Sequence, residues 1–471
     1  MVRFPRVRRP PEWGVEPVPA HVRELRAFDL FVLWSSLGVG LLVLAAGTLL
    51  IGVPIPGEKP LGFGLTLWES VWVALAGSAV GSLMLAAAAH HGSRAGVPTM
   101  VSLRPILGRH GSFAPTALNV LQLLGWAAFE LLVMGLAMAV LTGNALGPAT
   151  AAVFVPVFGA VAAALALGGP LAVVREWLRK FAIWLVYAST VLIAVALAIR
   201  GVDWSARPIA ENFTGTGSLL LAFDLVVVMP ISWWPLVSDY NRFARSARDS
   251  VVGTTLGYTV ANTLFYVLGA GLMVFGLALS PLQSDFLAVI GLIGFGAFSF
   301  VPLLFILVDE TDNAFANIYS TAVSLQNVAP KRRQLWFILA ATVIATAGAW
   351  VLLAQGQGIG GGYELFLLLI GGLFVPLLGT VIADAFLVRR LAYRDAEFRR
   401  EASRVRWPAF ASWAAGALLY FAIAYGLIQG FPPIGATLPS FLLAAFLQVV
   451  FARAAAFLSG ARRPVPGGGV P

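Results

Sequence analysis

LWSSLGVG at residues 33–40 and MPISWWP at residues 229–235 interrupt two otherwise apolar stretches of this chain. Backbone N–H and C=O groups cannot stay unpaired in hydrocarbon, so a broken helix persists at membrane depth only where it is buried in protein or lines a cavity. Such breaks are where solutes and ions are held, and the pair therefore points to a transporter. In the first, Ser35, Ser36, Gly38 and Gly40 let the backbone leave the helix at low steric cost, although small residues also permit close helix packing. In the second, Pro230 and Pro235 flank Ser232, Trp233 and Trp234 and each removes a helical donor, with a plain proline kink as the competing reading.

The surrounding composition agrees. Hydrophobic residues make up 59% and charged residues 11% of the 471 residues, and the mean hydropathy is +0.86, so there are too few charges to cover a soluble surface. Twelve runs are long enough to span a bilayer: 29–50, 66–89, 115–142, 149–168, 181–199, 218–238, 251–279, 291–325, 335–354, 363–388, 408–429 and 438–458. The fold class expected is all-α integral membrane.

Of the 31 Lys and Arg residues, 28 fall in the two termini and in alternate connecting segments, counting Arg453 at the end of the last span with the C-terminus. That bias places both termini on the cytoplasmic side of the cell membrane. The charge is spread over seven short segments, which suits anionic lipid and argues against a nucleic-acid partner. With no cysteine, disulfides and thiol chemistry are excluded, and the four histidines sit in connecting segments, away from the membrane interior. Residues 1–20 lack the apolar core of a signal peptide and read, like 462–471, as a disordered tail.

If each break heads a unit of five spans, the units run over 28–200 and 217–390, with tails at 1–27 and 459–471 and two further helices within 408–458. An odd span count makes the second unit enter from the opposite side, which is an inverted repeat. The two halves share no evident sequence identity.

On the third span, Gln122, Trp126 and Glu130 recur every four residues and so share one helical face. A carboxylate deep in a bilayer is costly, about 2.5–3.5 kcal/mol on insertion scales, so Glu130 is expected to face a cavity or a partner. Trp126 offers a flat ring a stacking platform, with plain packing as the alternative. The eighth span carries LVDETDNAFANIYST at 307–321, with Asp309, Glu310 and Asp312 within four residues and Asn313 beside them. Neighbouring carboxylates in low dielectric cannot all ionise without a counter-charge, so this cluster suits a cation or a proton. The competing reading pairs these acids with Arg242 or Arg245. Ser320, Thr321 and Ser324 could add oxygens suited to a hard ion such as Na⁺. Asp224 and Asp384 are weaker candidates, Asp384 being expected to pair with Arg389. No P-loop, zinc-ligand spacing or nucleophile elbow occurs, so the chain does not read as an enzyme and no cofactor is expected beyond a coupling ion.

Five segments carry a resemblance: EWGVEPVPAHVRELRAFDLFVLW (12–34), GSFAPTALNVLQLLGW (111–126), MPISWWPLVSDYNRFAR (229–245), TDNAFANIYSTAVS (311–324) and PLLGTVIADAFLVRR (376–390). In order and spacing the chain resembles the nucleobase:cation symporters, which include permeases for cytosine, hydantoin, allantoin and hydroxymethylpyrimidine. The resemblance implies a LeuT-like fold of about twelve helices with a 5+5 inverted repeat, broken first and sixth helices, alternating access, and symport of a flat heterocycle with Na⁺ or H⁺. It further implies that Trp126 stacks on the substrate ring and that Glu130 stands where the family places a glutamine. SWWPLVSDY looks most like the hydroxymethylpyrimidine and cytosine branch.

Substrate contacts are accordingly expected from Trp126, Glu130, Gln122, Ser232, Trp233, Trp234, Gly38 and Asn313. Cation coupling is expected from Ser35, Gly38, Asp309, Glu310 and Asp312, with Na⁺ at Asp309 and Glu310 as one option. An ionised Glu130 accepts hydrogen bonds only, which favours an aminopyrimidine over a dicarbonyl ring. A purine, hydantoin or allantoin is the alternative solute; an amino-acid carrier, a channel and a membrane-embedded enzyme are more distant readings. The partners expected are a small heterocycle and the bilayer, with the chain acting as a monomer.

Overall fold

In the computed structural model, which describes residues 13–54, 60–207, 215–279, 300–355, 360–399 and 404–458, the apolar runs form helices close to the expected limits. In chain order these are α1 (Ala27–Ser36), α2 (Leu41–Ile51), α3 (Leu67–Ala95), α4 (Phe113–Leu141), α5 (Thr150–Gly168), α6 (Ile183–Ile199) and α7 (Thr216–Ser232). They continue with α8 (Val237–Asn241), α9 (Ala247–Leu279), α10 (Val301–Val328), α11 (Gln334–Ala354), α12 (Gly360–Ile382), α13 (Trp407–Ala424) and α14 (Thr437–Leu458). Among the described residues ten helices are long and apolar enough to cross a membrane, and α1 with α2, bent by 67° at their junction, form an eleventh span. The 28-residue α10 has the length of a span, about 42 Å, but carries Asp309, Glu310 and Asp312 on its buried surface.

Local chemistry sets the ends. At the start of α3, Glu69 N donates to Thr66 Oγ1 at 3.2 Å and Thr66 N donates to Glu69 Oε2 at 2.8 Å, a reciprocal cap. The same helix stops at Gly96, whose φ of +68° suits a residue without a side chain. Asp224 of α7 accepts from Ala436 N at 3.2 Å and Thr437 N at 3.1 Å, so its carboxylate caps α14. That use of Asp224 is structural.

The helices pack as three groups. α1, α2, α3, α7 and α9 form one bundle; α4, α5, α10 and α11 form a second; α12, α13 and α14 pack as a third. Glycines let the first bundle close: a Cβ on Gly257 would lie 2.4 Å from Phe31 O, and one on Gly269 would lie 2.1 Å from Leu44 O.

Two expectations change. Residues 13–20, expected in a disordered tail, are held against the bundle: Val18 N donates to Gly96 O at 2.8 Å, Arg242 Nη1 donates to Gly14 O at 2.8 Å, and just beyond them Leu25 bridges to Ala244. Residues 1–12 and 459–471 of the expected tails, and 291–299 of the eighth span, lie outside the described residues. The second expected break is much gentler than the first. Thr216–Asn241 runs on as one span through a tight turn at Trp234–Leu236, with Trp233 N bonded to Pro230 O and Leu236 N to Trp233 O, each at 3.2 Å. A proline removes one donor, and bonds to the third residue back pair the neighbouring backbone groups within the span.

Candidate functional site

The unwound residues between α1 and α2 are stitched to α10 by side chains. Gly40 adopts φ +150°, at the edge of the region that favours glycine, and turns the chain into α2. The freed Val39 carbonyl accepts from Asn313 Nδ2 at 2.9 Å, and the freed Leu41 N–H donates to Glu310 Oε2 at 3.0 Å. One turn earlier, Ser36 Oγ donates to Asp309 Oδ1 at 2.6 Å, with the Asp312 carboxyl beside the same hydroxyl. A Cβ on Gly40 would sit 3.1 Å from Asn313 Nδ2 and from both Glu310 carboxylate oxygens, so any larger residue would press on both side chains.

The other expected residues divide by contact. Ser35 Oγ donates to Gly257 O at 3.2 Å and accepts from Tyr187 OH of α6 at 3.1 Å, so it ties the break to two further helices. Gly38 serves close packing, since its Cβ would meet Ala261 Cβ at 3.3 Å and Tyr258 Cγ at 3.4 Å. Both readings of the small residues in LWSSLGVG therefore apply, at different positions.

Glu130 reaches from α4 to the same place. Its carboxyl is in hydrogen-bonding contact with that of Glu310, so the Trp126 face of the third span meets the broken helix through two acids. Trp126 lies one turn away, 8% exposed, with the ring of Phe366 set edge-on across it at 5.3 Å and 75°. Gln122 Nε2 donates to Asn119 Oδ1 at 2.8 Å, and Asn119 Nδ2 in turn donates to Ser324 Oγ at 2.9 Å and Pro235 O at 3.2 Å.

The sixth-helix residues do not act as a group. Ser232 Oγ bonds back to Met229 O at 2.7 Å. Trp234 is buried and donates its indole N–H to Phe374 O at 2.9 Å, a packing role that turns it into α12. Trp233 is the partly exposed one, edge-on to Trp34 at 6.4 Å.

Among the described residues the alternative pairing of these acids with Arg242 or Arg245 is not found. Arg242 is fully buried and bonds to Gly14 O, to Asp239 O and to Tyr319 OH, while Arg245 N bonds to Leu25 O. Asp384 does meet Arg389, at 3.4 Å. Among the described residues no three His, Asp or Glu side chains converge as a metal-ligating set. The donors around Ser36, Asp309 and Asp312 are hard oxygens, which fit a proton or an alkali cation.

Phe366 and Tyr187 escaped the sequence reading. Phe366 lies in the apolar run FLLLIGGLF, where nothing marks one phenylalanine as covering a tryptophan 240 positions earlier. Tyr187 carried a usable signal, as a phenol inside the apolar span 181–199.

Residues 17–445 match the family of permeases for cytosine/purines, uracil, thiamine and allantoin. A Bacillus subtilis (strain 168) protein named for the purine-cytosine permeases is 26% identical over 413 residues, covering 81% of this chain and 80% of the relative. The hydantoin permease of Microbacterium maritypicum is 23% identical over 426 residues, covering 85% and 82%. Among solved structures, Mhp1, a nucleobase-cation-symport-1 transporter in a closed conformation with bromovinylhydantoin bound, superposes with a TM-score of 0.73 at 19% identity, over 95% of this chain and 96% of Mhp1. A Na⁺-coupled sialic acid symporter gives a TM-score of 0.61 at 11% identity over 93% and 91%. The fold is LeuT-like, and the chain belongs to the nucleobase:cation symporters, a family of multi-pass membrane permeases.

Proposed function

We propose that this permease is a secondary active transporter that imports a donor-rich nitrogen heterocycle, of the cytosine or hydroxymethylpyrimidine type, across the cell membrane with a cation. The observation that carries the reading is the contact between Glu130 and Glu310, because it joins the aromatic face of the third span to the unwound first helix. The ring stacks on Trp126 beneath Phe366, with Trp233 as a second aromatic wall, and meets Glu130, Gln122 and Asn313 at its polar edges. The coupling ion, H⁺ or Na⁺, is held by Asp309 and Asp312 with Ser36 and carbonyls of the break, and Ser35 steadies that segment. Alternating access follows as the bundle of α1, α2, α3, α7 and α9 tilts against the group of α4, α5, α10 and α11. Both termini lie in the cytoplasm, as the Lys and Arg distribution supports.

The test is uptake of labelled cytosine into proteoliposomes under separately imposed Na⁺ and H⁺ gradients, with hydroxymethylpyrimidine, uracil, adenine, allantoin and hydantoin as competitors. Saturable accumulation under one gradient, blocked best by aminopyrimidines, is expected. Preferential competition by allantoin or hydantoin would reassign the solute, and uptake insensitive to both gradients would refute the coupling.

A further inference from the structure

We infer that Asn119 is a positioning residue of the solute site, which fixes the end of the Gln122 carboxamide that is left for the solute and ties it to the tight turn of the sixth span; this rests on the transport reading above, in which Gln122 touches the solute, and adds to it a residue that does not. The orientation follows from a chain of bonds that starts at a group with no choice. The Pro235 carbonyl can only accept, and it lies 3.2 Å from one terminal atom of the Asn119 side chain, so that atom is the amide nitrogen. The same Nδ2 donates to Ser324 Oγ of α10 at 2.9 Å. Asn119 Oδ1 is thereby turned to Gln122, and the 2.8 Å contact between them requires Gln122 to present Nε2. Gln122 keeps its oxygen and one N–H for other partners, and that oxygen, Oε1, is buried with no partner among the described residues. The reverse orientation of Gln122 would need a nitrogen where the Asn119 oxygen lies, and would set that oxygen against the Pro235 carbonyl.

Asn119, Gln122 and Trp126 share one face of α4, so Asn119 stands one turn from Gln122 and about 10 Å along the helix axis from Trp126. Asn119 is fully buried, and with both hydrogens of its amide donated it acts on a solute only through Gln122. Asn313 is oriented by the same device in a single step: its Nδ2 donates to the Val39 carbonyl at 2.9 Å, and its Oδ1 has no partner among the described residues. In each case a backbone carbonyl from an interrupted stretch of helix selects the end of the carboxamide that remains. An amide held in one orientation before the solute arrives spares the cost of ordering it on binding. It also penalises a solute whose edge needs the other orientation.

The experiment is a double-mutant cycle on the purified full-length protein. It is read as equilibrium binding of whichever heterocycle of the uptake panel wild type binds most tightly, cytosine being the one expected. Asn119→Leu removes every bond of the relay and is expected to weaken binding about tenfold. Asn119→Asp, whose carboxyl accepts from Gln122 in either protonation state, is expected to retain most of the affinity. Gln122→Leu is expected to weaken binding at least as much as Asn119→Leu does. Adding Asn119→Leu to Gln122→Leu is then expected to cost less than about twofold further, because a residue that acts through Gln122 has nothing left to orient. Should Asn119→Leu not fold, Asn119→Ala takes its place in the cycle. Unchanged affinity in the folded Asn119 variant, or losses that multiply in full in the double variant, overturns the inference and leaves the transport reading standing. A wild type that binds none of the panel brings down the two together.

Discussion

Two groups of buried acids lie at different depths of this molecule, and they are treated differently. At the end of α12, Asp384 takes Arg389 Nε at 3.4 Å, Tyr393 OH at 2.9 Å and Gln448 Nε2 at 2.9 Å. Glu397 beside it takes Arg389 Nη1 at 2.9 Å, Arg406 Nη2 at 3.4 Å and the Arg394 N–H at 3.1 Å. At the first-helix break, Glu130, Asp309, Glu310 and Asp312 meet hydroxyls, amides and one another, with no arginine paired to them among the described residues. A compensated acid cluster fixes structure, whereas an uncompensated one leaves its charge to be met by something that comes and goes. The same residue type therefore reads as scaffold in one place and as site in the other.

The sharpest way to break this contrast is to remove one acid from each group. Glu310→Ala strips the partner of Leu41 N and of Glu130 together, and uptake is expected to vanish in protein that still elutes as a single folded species; retained uptake would equate the two clusters. A smaller effect is expected of Trp126→Ala, which removes the stacking surface and should weaken solute binding by about tenfold, near 1.4 kcal/mol, with little change in thermal stability. Unaltered affinity would mean that Trp126 only packs against Phe366.

Smaller again is Glu397→Gln, expected to lower the melting temperature by the equivalent of about 1 kcal/mol while transport per folded molecule persists. The acid limb of stability sharpens the same point. Burial alone would raise the Glu397 pKa, but the Arg394 N–H bond and the charges of Arg389 and Arg406 outweigh it and hold the group below its usual value. A depressed carboxylate stabilises the fold above its unfolded pKa, near 4.3, and that contribution is lost as pH falls through the folded value. Wild type should therefore lose its stability margin over Glu397→Gln below about pH 4. A margin independent of pH would show that the ion pairs contribute nothing.

Much of the architecture was legible because a bilayer makes hydropathy a strong constraint: the span expected at 149–168 forms at Thr150–Gly168, and that at 335–354 at Gln334–Ala354. The acids of LVDETDNA were equally legible, since charge deep in a span has few uses. What escaped depended on contacts between distant segments. Pro230 and Pro235 announce a break, yet whether the chain bends there rests on bonds their neighbours can remake. Trp233 and Trp234 are indistinguishable as letters, and only the Phe374 carbonyl separates them. The pairing of Glu130 with Glu310 likewise needed α4 and α10 to be seen side by side.

Glu310 accepts the Leu41 N–H with one oxygen and touches Glu130 with the same carboxyl, so one side chain serves the unwound segment and the aromatic face at once. On the proposed reading, solute contact and the hold on the break then cannot diverge separately in descendants of this chain: a substitution at position 310 that admits a new solute also alters how the break is held, and viable changes there come in concert with positions 40, 130 or 313.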